Sequence, residues 1–155
     1  LNVTVLYLQH CCITIVFMIT AEEILKRQDL RSTACRKFIV KSLLENNKAM
    51  SENELKGEYP ELFDRVTFYR TLITLEDSGV IHKIVLNDNS VKYALNNHHH
   101  NESNLHSHFH CEECDEVMCL EGKTKFEAEL PDKFVSREVF VVIEGCCADC
   151  AGHVK

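Results

Sequence analysis

The stretch DRVTFYRTLITLEDSGVIHKIVLNDNSVKYAL, residues 64–95, decides the fold. Asp64 to Ser78 reads as a helix whose apolar stripe runs through Val66, Tyr69, Leu72 and Ile73 towards Glu76, and Gly79 stands where a left-handed residue stops it. The β-rich runs VIHKIVL and VKYAL follow, joined at Asn87-Asp88-Asn89-Ser90, and read as a hairpin. A helix running straight into a hairpin, with shorter helices ahead of it, is the pattern of a winged helix-turn-helix, in which that helix enters the DNA major groove and the hairpin flanks it. Thr67, Tyr69 and Arg70 put a hydroxyl, a phenol and a guanidinium on the helix, groups suited to phosphate and base-edge contacts. The competing reading makes Arg65, Arg70 and Lys83 ordinary solvated surface charges.

Working towards the N-terminus, Ser51 and Glu54 form a capping box for a short helix, SENELKGEY, which Pro60 ends. Thr33 caps a longer helix through about Asn46, with Phe38, Val40, Leu43 and Leu44 at helical spacing. Thr20 caps AEEILKRQD, acidic in its first turn and basic towards its end. Residues 1–17 are almost wholly apolar but lack a basic start and a small-residue cleavage site, and Gln9-His10 interrupts them. They are expected to be a non-native or leader extension ahead of a natural start at Met18, with a membrane anchor or an extra strand or helix as the alternatives.

The 155 residues carry 17 Lys+Arg against 24 Asp+Glu, with nine Cys and nine His. That composition fits one or two small globular domains and excludes disordered, collagenous and multi-span membrane classes. Net charge −7 looks unfavourable for nucleic acid, yet residues 18–85 are balanced, and residues 86–155 hold 6 bases against 13 acids. Six Cys and seven His lie between positions 98 and 153. CxxC spacing with interleaved His favours metal ligation in a reducing, cytoplasmic compartment over disulfides.

Residues 96–105 form a polar, His-rich hinge, and residues 106–155 form a smaller α/β unit in which EVMCL and FVSREVFVVIEG read as strands and KTKFEAEL as helix-like. Cys111-x-x-Cys114 and Cys147-x-x-Cys150 are two thiolate knuckles able to close one tetrahedral structural zinc site, one ion per chain. Cys146 competes with Cys147 for the second knuckle, and spacing selects Cys147. His106 and His108 alternate along an extended segment and offer a second site, with Cys119 one strand away and His98, His99 and His100 on the incoming loop. A thiolate among imidazoles prefers zinc to magnesium or manganese and moves the choice away from an oxygen/nitrogen Fe(II) site. Cys119 as a small core thiol, and the His tract as a solvated loop, are the bland alternatives.

Five segments in order resemble the Fur superfamily of metal-responsive transcriptional regulators, which includes ferric-uptake, zinc-uptake and peroxide-responsive members. Leu30-Arg31-Ser32-Thr33-Ala34-Cys35-Arg36 is similar to the family's LRxTxxR, Thr67-Phe68-Tyr69-Arg70 to its TVYR, and Leu75–Ile81 to the stretch entering the wing. His106-x-His108-x-x-Cys111-x-x-Cys114 resembles its HxHxxCxxC, and Gly145-x-Cys147-x-x-Cys150 its GxCxxC ending. The resemblance covers residues 18–155 and implies an α+β homodimer, with a winged-helix DNA-binding domain at 18–95 and a dimerisation domain holding structural zinc. It implies a second, regulatory divalent metal, Zn or Fe(II), that sets the spacing of the two winged helices on a palindromic operator in double-stranded DNA, usually causing repression of metal-homeostasis genes. Tyr69 and Arg70 would then touch DNA beside Thr67, with Arg31 on phosphate; His106 and His108 would hold the sensed metal.

Three departures matter. Lys48-Ala49-Met50 stands where the family often has a His, Tyr93-Ala94-Leu95 where it often has an acid, and Cys119 replaces an Asp or Glu. The sensor set is therefore rebuilt, with the loop His98, His99 and His100 as expected compensation, and zinc is favoured over iron. An iron- or peroxide-responsive regulator and a metal-buffering or redox-sensing protein without DNA binding are the alternatives. An enzyme is not expected: His100-Asn-Glu102 before a CxxC resembles a zinc deaminase signature, but the gap is too short and the second knuckle would go unexplained.

Overall fold

The structure, a computed structural model, describes residues 19–57, 61–96, 107–120, 129–136 and 139–152. Expectations for residues 1–17, for His98, His99, His100 and His106, and for all but the end of KTKFEAEL lie outside the described residues. Among the described residues no helix is long and apolar enough to cross a membrane.

Helix α1 is Ala21–Arg27, and its capping box is complete: the Thr20 side chain accepts from Glu23 N–H, and Glu23 accepts from Thr20 N–H at 2.8 Å. Helix α2, Ala34–Asn46, starts at Thr33, whose hydroxyl accepts from Arg36 N–H, and ends at Asn47 in the left-handed region. Strand β1, Met50–Ser51, which the sequence reading did not contain, leads into α3, Glu52–Lys56. The Ser51–Glu54 box starts α3 as expected, but Gly57 at φ +51 ends it, three residues before Pro60.

Helix α4 is Arg65–Asp77, capped by the Asp64 carboxylate on Thr67 N–H. It closes in a Schellman turn: Val80 N–H donates to Leu75 O and Gly79 N–H to Glu76 O, each at 2.9 Å, with Gly79 at φ +68. Its buried stripe is Phe68, Thr71, Leu72 and Leu75; of the expected Val66, Tyr69, Leu72 and Ile73, Leu72 is buried and the other three are exposed. Both sets have helical period. The Phe68 stripe wins because it meets Leu25, Ile39, Leu43 and Leu55 from the preceding helices in one core, and full burial of an aromatic this large is worth about 1.5–3 kcal/mol. The consequence for function is that Val66, Tyr69, Arg70 and Ile73 make up an exposed face.

Strands β2, Ile81–Val85, and β3, Val91–Leu95, form the expected antiparallel hairpin, with β1 on the other edge of β3. A second three-stranded sheet has β4, Ser107–Cys111, between antiparallel β5, Val117–Cys119, and parallel β6, Val141–Gly145. Among the described residues of FVSREVFVVIEG, only β6 is strand. A final turn of helix, α5, Ala148–Ala151, starts at Cys147.

The registers sort the side chains. In the hairpin His82 pairs with Ala94 and Ile84 with Lys92, so these four share a face, while Ile81 and Tyr93 face the helical core. In the second sheet His108 pairs with Cys119 and Val142, and His110 with Val117 and Glu144, so these six share a face. The two faces pack on each other: Ile84, Ala94, Val117, Leu86 and Ala49 form a second apolar cluster, with Cys119 and Val142 against it. Ala49 N–H also donates to Val117 O at 3.1 Å. Ala49 and Ala94, at the positions that depart from the family pattern, therefore fill this interface.

Candidate metal centres and nucleic-acid interface

Cys111 ends β4, Cys114 follows one turn later, and Cys147 and Cys150 bracket the start of α5 just beyond β6. Parallel pairing of β4 with β6 sets Cys111 beside Gly145 and so brings the two knuckles together. The four sulfurs lie within 4.8 Å of one another, with Cys114 and Cys147 4.0 Å apart. Two of them accept backbone N–H groups, Cys111 from Cys147 at 3.3 Å and Cys147 from Cys150 at 3.4 Å. The donated N–H of Cys147 draws the Cys111 thiol down to about 6, whereas hydrogen bonding with Cys147 and then Cys114 pushes the Cys150 thiol well up. Four thiolates this close repel, and a divalent cation among them removes that cost. Zinc bond lengths of about 2.3 Å to sulfur put tetrahedral partners roughly 3.8 Å apart, so the spacing fits a closed zinc site. Cys146 is exposed and directs its thiol at Cys147 O, outside this group. Cys35 is buried in the helical core, where burial pushes its thiol up.

The second group is His82, His108 and Cys119, again within 4.8 Å of one another. The Nε2 atoms of His82 and His108 are 3.0 Å apart, and Cys119 Sγ is 3.6 Å from His82 Nε2. Tetrahedral zinc with bonds of roughly 2.0–2.3 Å would set such donors roughly 3.3–3.5 Å apart, which these distances match within a few tenths of an ångström. Asn96, at the end of the hairpin, lies 2.7 Å from His82 Nδ1 through its Oδ1, and its Nδ2 donates to Gly79 O, which fixes the ring with Nε2 towards the group. Burial pushes the Cys119 thiol up to about 11.

Of the expected sensor residues, the structure brings together His108 and Cys119, while His106, His99 and His100 lie outside the described residues. The sequence reading missed His82. It sits inside an apolar strand, without a CxxC or HxH neighbour, and only alternation with Ile84 on the sheet-facing side could have drawn attention to it.

On the opposite side of the first unit, Thr67, Tyr69 and Arg70 are all exposed on α4, Tyr69 by 54%. Val66, Tyr69, Arg70 and Ile73 follow helical spacing and form one stripe of phenol, guanidinium and two branched apolar groups. Arg31 is exposed just ahead of α2, where its carbonyl accepts from Arg36 Nη1 at 3.0 Å.

The Ferric uptake regulator family matches over residues 27–133. Comparison with curated proteins gives no significant match. Among solved structures, the Vibrio cholerae ferric uptake regulator superposes with a TM-score of 0.55 at 20% identity, over 81% of this chain and 98% of that one. A zinc uptake regulator complexed with zinc and DNA gives a TM-score of 0.62 at 22% identity, over 86% and 91% of the two chains. The Helicobacter pylori ferric uptake regulator, described as having three functional metal binding sites, gives 0.53 at 18% identity, over 86% and 95%. At these identities the likeness establishes a shared fold.

Proposed function

The chain belongs to the ferric uptake regulator family, and from that premise we propose that it is a zinc-responsive, DNA-binding repressor that acts as a homodimer on metal-homeostasis promoters. Cys111, Cys114, Cys147 and Cys150 hold a structural zinc in this reading. His82, His108 and Cys119 hold the sensed ion, and His106 completes their set, with His99 and His100 as alternatives. The observation that carries the reading is the meeting of His82 from the wing with His108 and Cys119 from the second sheet. A thiolate beside two imidazoles suits zinc better than Fe(II) or Mn(II), which prefer oxygen and nitrogen donors. When bound, zinc supplies a cross-link between the two sheets.

Tyr69 and Arg70 reach base edges in the major groove, with Thr67 beside them and Arg31 on phosphate. Val66 and Ile73 give the same stripe apolar contact surface for thymine methyl groups. The zinc uptake regulator solved with zinc and DNA supports this reading. Exposed Met118, Phe134, Val135, Phe140 and Ile143 on the second unit support its covering by a second copy.

The switch is geometric. Loading two neutral imidazoles and one thiolate with Zn²⁺ changes the charge by about one unit against a chain at −7, too little to turn phosphate binding on. An ion that binds the tied arrangement better than the untied one shifts the population and fixes the angle at which α4 is presented. The test is a gel shift on a palindromic, AT-rich promoter fragment with Zn²⁺, Fe²⁺ or chelator. A zinc-dependent shift at modest salt is expected. No metal-dependent shift overturns the repressor reading, and tighter response to Fe²⁺ overturns the zinc preference.

A further inference from the structure

The interface between the two sheets is polar at both ends and apolar in the middle. His82, His108 and Cys119 occupy one end and Ile84, Ala94, Val117 and Val142 the centre; the other end holds Lys92, His110, Asp115 and Glu144. The Lys92 side chain is 3% exposed, an environment in which an ammonium survives only if it is paired and hydrogen-bonded. Its Nζ donates to the backbone carbonyl of Asp115 and, at 2.7 Å, to Asp115 Oδ2, with Glu54 Oε2 3.9 Å away. Asp115 directly follows Cys114, stands at φ +58, and accepts from His110 Nε2 at 2.9 Å. His110 Nδ1 lies 3.6 Å from Glu144, which in turn accepts from Asn87 Nδ2 at 2.6 Å. One buried cation thus joins the third helix, the wing strand and the first cysteine knuckle.

We propose that Lys92 is a positioning residue for the metal switch: by pinning β3 to the knuckle it holds the two sheet faces in the register that brings His82 to His108 and Cys119. The inference rests on the sensor reading above. Ile84 is the cross-strand partner of Lys92, and His82 lies two residues from Ile84 on the same face, so a shift at the Lys92 end moves His82 away from His108. The apolar centre alone is non-directional and tolerates sliding. The Lys92 contacts, one to a backbone carbonyl and one to a carboxylate, do not. If the tied register is populated in the absence of metal, apparent affinity is the intrinsic affinity scaled by that population, and loss of the tie weakens binding in proportion.

The experiment measures Zn²⁺ itself. The full chain, loaded with structural zinc, is titrated against a chelating dye, and Lys92→Met is compared with Lys92→Arg. Lys92→Met is expected to keep the structural zinc and to bind the second Zn²⁺ about tenfold more weakly, with the zinc dependence of DNA binding displaced by the same factor. Lys92→Arg, which retains the charge and the donors, is expected to recover most of that affinity. Wild-type affinity in Lys92→Met overturns the proposal. Should Lys92→Met lose its structural zinc, Asp115→Asn takes its place, because that side chain is 69% exposed and the change removes its charge while keeping its size; the same tenfold criterion then decides. A wild-type chain that binds no second Zn²⁺ overturns the sensor reading instead, so the two failures are distinguishable.

Discussion

His82 and His108 bring their Nε2 atoms to 3.0 Å of each other across the interface, one from the β2–β3 hairpin and one from the central strand of the second sheet. Neither strand is continuous with the other, so this approach depends on how the two units dock. An ion held there is sensitive to docking, and docking to the ion.

His82→Ala tests that relationship. The substituted chain is expected to retain its structural zinc, lose the second Zn²⁺, and bind operator DNA equally in zinc and in chelator. Metal content by mass spectrometry and a parallel gel shift read both. A His82→Ala chain that still responds to zinc would show that other residues carry the sensor.

Cys111→Ser should behave in the opposite way. Cys111 is fully buried at the end of β4, and its loss leaves three thiols where a closed site needs four donors. Structural zinc sites are tied to folding by apparent energies of about 10 kcal/mol or more, so loss of the second unit's fold and of the dimer is expected by size-exclusion chromatography and near-UV dichroism. Wild-type elution with the zinc absent would refute a structural role.

Zinc binding at the second site should strengthen with pH. Burial raises the folded-state thiol of Cys119 from 9.0 to about 11, so near neutral pH it is protonated and must release one proton to ligate. The sign follows: affinity rises by about tenfold per pH unit between roughly pH 7.5 and 9 for that one proton. Without metal, the raised value means that burial favours the neutral thiol, and this contribution is present below pH 9.0 and lost as pH climbs through about 11. In Cys119→Asp the carboxylate is already ionised over this window, so the tenfold slope should disappear and selectivity should move towards Fe²⁺ or Mn²⁺. An unchanged slope in Cys119→Asp would count against Cys119 as a ligand.

The two faces of α4 should separate cleanly. Arg70→Ala removes an exposed group and should weaken operator binding by about 1–3 kcal/mol while leaving stability within about 0.5 kcal/mol. Phe68→Ala empties the middle of the helical core and should cost about 3–5 kcal/mol in denaturant unfolding. Equal stability loss in both variants would mean that the buried face is assigned wrongly.

Much of the first unit is legible locally. The Thr20 and Thr33 caps, the Ser51–Glu54 capping box, Gly79 at a positive φ and the Asn/Asp turn of the hairpin each act within a few residues, so the chain itself announces them. The buried face of α4 is not legible locally, because Val66 and Phe68 both belong to stripes of helical period and local spacing does not say which stripe meets the other helices. β1 has no local signal, because two residues become a strand only by pairing with β3.

The sequence by itself determined the four helices and the hairpin of the first unit, the two thiolate knuckles and the uneven distribution of charge, since caps, CxxC turns and charge distribution are short-range properties. Tertiary structure alone decided that His82 joins His108 and Cys119 and that Lys92 is buried against Asp115. Each of those facts depends on one sheet face landing on another in a particular register. Register between sheets is set by the summed packing of residues far apart in the chain, and no local pattern encodes it.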